Sequence, residues 1–210
     1  MELTVVDLPS LDLLRDRWAA AAAVVTALGF PQTASARGDR WRLDDGGGNW
    51  AEVVLLAPDR AVLLGWDREA VTRLSRRPDG EPTGELLTDA PDWWSEPLRA
   101  LDPAVEVSFV LGWDGTAWSR VPSDLVDGST RVGLPVDAET LYGLVDTYAE
   151  GVADDQGLGE WRAPWPAVAA LGAAGPELTV QQLADVLGPL EADLPAGVVA
   201  AQRFRSPAAG

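Results

Sequence analysis

Leu11, Leu14, Trp18, Ala21, Val25 and Leu28 recur at alternating steps of three and four, the spacing that lines up side chains on one face of an α-helix. Ser10 stands at the N-cap position before this run. Gly29 stands at the C-terminal exit, and Pro31 follows where a helix can no longer continue. Asp12, Arg15 and Asp16 share the opposite side, so the pattern predicts a helix that buries one stripe. The period then falls to two. Arg40-Trp41-Arg42-Leu43 alternates as a half-buried strand does. Two nearly continuous apolar runs, Ala51 to Ala57 and Ala61 to Trp66, predict central strands turning at Pro58-Asp59-Arg60. Val105 to Leu111 predicts a fourth strand, and Thr116 to Val121 a fifth, with Asp114-Gly115 as the positive-φ hairpin turn between them.

Helical signals fill the gaps and the end of the chain. Asp67 is placed to cap a short helix reaching Leu74, and 92–101 predicts a helix broken or restarted at Pro97. Leu141, Leu144, Val145 and Tyr148 predict a helix capped by Asp137 and closed by Gly151. Pro166 suits the first turn of the next helix. Thr179 and Gln182 have the spacing of a capping box, with Leu178 and Leu183 as its hydrophobic staple, and Pro189 marks that helix's end. Ser206 to Gly210 are expected to fray. These elements predict an α+β fold: an antiparallel sheet of about five strands packed by the N-terminal helix, with a helical C-terminal annex. The expected organisation is one domain, with residues 1–133 as the helix-plus-sheet core and 134–205 as an acidic helical annex.

Composition narrows the chemistry. The chain has no histidine, no cysteine and no lysine; all 16 basic side chains are arginine. That excludes Ser-His and Cys-His nucleophiles, a Schiff-base lysine, a Walker lysine and a histidine- or cysteine-based zinc site. Arginine in place of lysine, together with abundant Ala, Gly, Pro and Val, is the composition of a GC-rich bacterial genome. The start lacks a positively charged flank, and no apolar run approaches the ~20 residues that span a bilayer, so a soluble, cytoplasmic protein is expected.

The net charge is -17. Nucleic acid and anionic membranes are repelled by such a balance, whereas a cationic protein partner is attracted. The acids are unevenly spread, because residues 132–202 hold 11 acids and a single arginine, Arg162. Tryptophan is the second anomaly, with 10 Trp against 2 Tyr and 3 Phe. Trp41, Trp50, Trp66, Trp113 and Trp118 fall on strands and are expected in the core. Trp93, Trp94, Trp161 and Trp165 fall near loops rich in acids. With Asp146, Glu150, Asp154, Asp155 and Glu160 they form the candidate partner-binding set, since indoles supply contact area and carboxylates supply steering.

Arg73, Arg76 and Arg77 concentrate positive charge and are candidate anion ligands, with Arg73 and Arg77 on one helical face if the helix extends that far. Asp44-Asp45-Gly46-Gly47-Gly48-Asn49 is rich in oxygen but lacks EF-hand spacing, so it reads as a solvated turn; no metal and no cofactor is expected. Asp92 and Glu96 flank Trp93-Trp94 and keep open a carbohydrate-binding or carboxylate-dependent hydrolase reading. A structural or assembly subunit is the third alternative.

The stretch from Gly46 to Leu56, continuing through Leu64-Gly65-Trp66-Asp67, resembles a family of uncharacterised actinobacterial proteins over roughly a tenth of the chain. That resemblance implies no activity and carries no catalytic residue. The order helix, antiparallel meander, helices is similar in architecture to SUKH-type bacterial immunity proteins. The leading expectation is therefore a non-enzymatic binding protein, of the immunity or inhibitor kind, that masks a cationic effector.

Overall fold

The computed structural model describes residues 2–57, 59–122 and 128–205. Pro58 of the expected turn and the expected fraying tail lie outside the described residues. The fold is α+β. In chain order the elements are β1 (Thr4–Val6), α1 (Leu11–Ala27), β2 (Ala34–Arg37), β3 (Arg40–Asp44), β4 (Trp50–Ala57), β5 (Arg60–Trp66), β6 (Ser75–Arg76), β7 (Pro82–Thr83), α2 (Ser95–Arg99), β8 (Phe109–Trp113), β9 (Trp118–Arg120), α3 (Ala138–Asp155), α4 (Trp165–Ala174), α5 (Val180–Leu187) and α6 (Leu194–Gln202). They form two compact units. The sheet unit comprises Met1–Ser10 and Asp44–Val132; the helical unit comprises Leu11–Leu43 and Gly133–Gly210.

In the sheet unit, β1, β9, β8, β5 and β4 lie side by side in that order, every pair antiparallel. The continuous apolar runs behave as central strands: 51–54 of β4, 61–66 of β5 and all of β8 are buried. One face of the sheet carries Val54, Val62, Leu64 and Val110, packed with Trp94 and Leu98 from the 92–99 segment. The fourth strand starts later than its pattern predicts, at Phe109, because Leu74 N–H takes the Val107 carbonyl and Ser108 N–H takes that of Gly65. The turn after it has four residues, with Trp113 opposite Trp118 and Gly115 at φ 96°.

The word Leu-Gly-Trp-Asp occurs at 64–67 and 111–114, and both glycines make room for an aromatic ring. A Cβ on Gly65 would lie 2.5 Å from the Phe109 ring, and one on Gly112 would lie 2.1 Å from the Trp94 indole nitrogen. The sequence suggests that the two words end strands at one rim. The register places them at opposite ends, because β5 and β8 are antiparallel neighbours with Ala61 opposite Trp113 and Gly65 opposite Phe109.

In the helical unit, α1 packs against α6, α4, α3 and β2. Its end is a Schellman motif: Gly29 N–H donates to Thr26 O, Phe30 N–H donates to Val25 O, and Gly29 sits at φ 95°. The expected single stripe is an underestimate, since every residue from Trp18 to Val25 is buried. The alanine run 19–23 permits this by keeping the helix thin. α6 answers with Gly197, whose absent side chain leaves room for the Ala23 carbonyl; a Cβ there would lie 2.5 Å from that oxygen. The short strands β2 and β3 form a hairpin with Ala34 opposite Leu43 and Arg37 opposite Arg40.

Capping decides the C-terminal helices. Asp137 and Thr140 form a reciprocal box at the start of α3, and Thr179 and Gln182 form one at the start of α5. Leu178 and Leu183 are buried as their staple. Gly188 ends α5 at φ 55°, just before Pro189. Gly151 does not close α3, which runs on to Asp155; helical glycine costs only about 1 kcal/mol, and Val152 and Ala153 beyond it are buried. No described helix is long and apolar enough to cross a membrane.

Candidate functional site

The largest gathering of predicted site residues is on α3 and the loop that follows it, all within the helical unit. Tyr142, Asp146, Glu150 and Asp154 are four residues apart, so they form one ridge along α3. Arg162 folds back onto that ridge. Its guanidinium donates to Asp146 Oδ2 at 2.5 Å and to Glu150 Oε2 at 3.2 Å. Asp146 is nearly buried, and its second oxygen accepts the Ala163 N–H at 3.2 Å. That carboxylate is therefore a staple holding the loop to α3, and it has little free surface to offer a partner. The Arg162 pKa is raised, first by the hydrogen bond to Asp146 and then by the charges of Asp146 and Glu150.

Trp165 opens α4 and stacks on Tyr142 with ring centroids 5.0 Å apart. It remains 45% exposed, high for an indole in contact with another ring. Asp154, Asp155 and Glu160 are exposed, and their carboxylates have no ion-pair partner among the described residues. Trp161 is half-buried. Its ring lies over the C-cap of α5, where a Cβ on Gly188 would lie 3.5 Å from it. The result is an exposed indole against Tyr142 at one end of a ridge that carries Asp146, Glu150 and Asp154, with Asp155 ending the helix and Glu160 in the loop beyond it. Asp137, at the N-terminus of the same helix, is held below the ordinary carboxylate range, first by the Thr140 N–H and then by the Thr140 hydroxyl.

The other predicted partner residues belong to the sheet unit and differ from expectation. Trp94 is 1% exposed and is a core residue, not a surface anchor. Pro91 caps the 3-10 turn 92–94 and Pro97 lies within the short helix α2; this segment sets the indole against Gly112 and away from solvent. Its Nε1 has no hydrogen-bond partner among the described residues. Trp93 stacks edge-on against it at 5.9 Å and stays half-buried, with the Arg60 guanidinium 5.8 Å from its ring centre. Asp92 and Glu96 are both exposed.

The arginine cluster does not form one site. Residues 67–74 are not helical, and Ser75–Arg76 is a strand paired with Pro82–Thr83, so Arg73 and Arg77 share no helix face. Asp67 opens a turn in place of a helix: its carboxylate accepts the Glu69 N–H, its carbonyl accepts the Ala70 N–H, and the Leu74 N–H goes to the Val107 carbonyl. Arg73 lies over the Trp66 ring at 4.9 Å and pairs with Glu106. Arg76 donates to the carbonyls of Gly80 and Leu98, while Arg77 is exposed. Two of the three cations are thus already engaged, and no anion cradle results. The Asp44–Asn49 loop is a self-satisfied turn: Asp45 accepts from Gly47 N, Asn49 N and Asn49 Nδ2.

Two contributors to the surface escape a reading of single residues, Tyr142 and Arg162. The four-residue ridge spacing on α3 was visible in the sequence; the return of the loop onto it was not. No protein-family model, curated protein or solved structure matches this chain.

Proposed function

We propose that the protein is a non-enzymatic binding domain whose α3 surface engages a cationic protein partner, in the manner of an immunity or inhibitor protein. The observation that carries this reading is the exposed Trp165, backed by Tyr142 on α3, the helix whose C-terminal end carries Asp154 and Asp155, exposed and without an ion-pair partner among the described residues. An aromatic anchor with a rim of one charge sign is the anatomy of a protein interface, where the ring supplies affinity and the rim supplies steering. The remaining chemistry supports the same reading. A chain without histidine, cysteine or lysine has few routes to catalysis. Its carboxylates with lowered pKa, Asp114 and Asp137, are held there by turn and cap hydrogen bonds.

The test is affinity capture from the native host on immobilised wild-type protein and on Trp165→Ala, washed at low and at high salt. The reading expects a basic protein retained by wild type at low salt and lost from the variant. Recovery of the same proteins on both columns, or of none, would count against it.

A further inference from the structure

We propose that a second surface of the helical unit, the groove between α6 and strand β2, binds an extended peptide segment of a partner protein by strand addition, with a peptide carboxylate on Arg203. The groove holds about 430 Å³. One wall is β2, which stands at the end of the strand order and, among the described residues, is paired with β3 alone. Its outer backbone edge is the kind of ladder an incoming chain completes. The facing wall is one side of α6, presenting Pro195, Ala196, Val199 and Arg203.

The dimensions select an extended occupant. Four residues of β2 run roughly 13 Å at the rise of a strand, and the stretch of α6 from Pro195 to Arg203 runs roughly 12 Å at the rise of a helix. The two walls match in length and admit about four residues of extended chain. The lining selects small apolar side chains, since β2 contributes only Ala34, Ser35 and Ala36.

Charge selects the peptide's polar contact. Asp193, at one end, is occupied: its carboxylate caps α6 by accepting the Ala196 N–H. Arg203, at the other, is exposed and has no ion-pair partner among the described residues. Arg205, two residues on, differs, because it is clamped in two hydrogen bonds by Glu177. Val199, 51% exposed between the two ends, is an apolar contact awaiting a cover.

The experiment uses the full chain and three fluorescein-labelled heptapeptides of alternating alanine and valine, with a central glutamate, glutamine or lysine. Fluorescence anisotropy measures binding, and amide hydrogen exchange locates it. The glutamate peptide is expected to bind about tenfold more tightly than the lysine peptide and to slow exchange in residues 34–37. Arg203→Lys should keep that preference and Arg203→Glu should reverse it. Arg203 is exposed, so an unchanged thermal melt verifies that both variants fold. Failure of the glutamate peptide to bind, equal binding of all three, or protection elsewhere overturns the proposal. So does a concentration-dependent dimer that protects residues 34–37 without peptide, which would assign the groove to a second copy of the chain. None of these outcomes depends on Trp165, so the α3 surface stands or falls separately.

Discussion

Two helical glycines of this protein, one at a tight approach and one facing open space, predict opposite effects. Gly197 faces the Ala23 carbonyl and the Leu183 side chain, and an added methyl would lie 2.5 and 2.6 Å from them. Gly197→Ala is expected to destabilise the fold by about 2 kcal/mol, read as a lower denaturant midpoint at unchanged slope. Gly143 sits within α3 and faces open space. Gly143→Ala should stabilise by roughly 0.5–1 kcal/mol, since only the entropy of the helical glycine is removed. If both variants shift in the same direction, the packing assigned to α6 on α1 is wrong. Neither role can be read from the sequence, where both glycines sit in helical segments. The same limit explains Trp94. An indole beside acids looks like a surface residue until its segment sets it inward and Gly112 opens a place for the ring.

Helix ends were the most legible elements, because their rules are local. Asp137, Thr179 and Gly29 all mark boundaries that depend on a few neighbouring residues. Elements decided by distant partners were less legible. β1 and β2 are too short to show a period, and 67–74 is not helical because its end pairs with a distant segment, the Leu74 N–H donating to the Val107 carbonyl. The Asp137 cap gives two predictions. Asp137→Ala should cost about 1 kcal/mol, as cap removal does, and a denaturant series against wild type measures it. The pH dependence follows from the lowered pKa of Asp137 and of Asp114 at the β8–β9 turn, where the Ala117 N–H is the largest cause. Each carboxylate is more acidic folded than unfolded, so the unfolded chain takes up protons first as pH falls. Their contribution is fully present above the ordinary carboxylate pKa and is lost as pH drops through the folded values. The thermal midpoint of wild type should therefore fall on acidification below about pH 4, and that of Asp137→Ala should fall less steeply.

Folding redistributes the charge that the sequence displays. Along the chain the acids crowd after residue 132, but α1 and the β2–β3 hairpin bring five arginines into the helical unit. That unit holds 14 acids and 8 arginines, a net of -6, against 19 acids and 8 arginines, a net of -11, in the sheet unit. Net charge alone therefore favours the sheet unit, whereas the proposed α3 surface is distinguished by its local groups. That surface sets an exposed ring beside Tyr142 and, toward the C-terminal end of α3, the carboxylates of Asp154 and Asp155, which have no ion-pair partner among the described residues. In the proposed interface, local charge and buried contact would act on different rates. Rim carboxylates attract the partner before contact, so Asp154→Asn with Asp155→Asn should slow association, and raising the salt should erase that difference. Trp165 acts after contact, so Trp165→Ala should leave association nearly unchanged and speed dissociation about tenfold or more. Surface plasmon resonance on the captured partner, at two salt concentrations, separates the two effects. If Trp165→Ala changes only the association rate, the indole is not an anchor, and the α3 ridge serves as an electrostatic guide to an interface elsewhere.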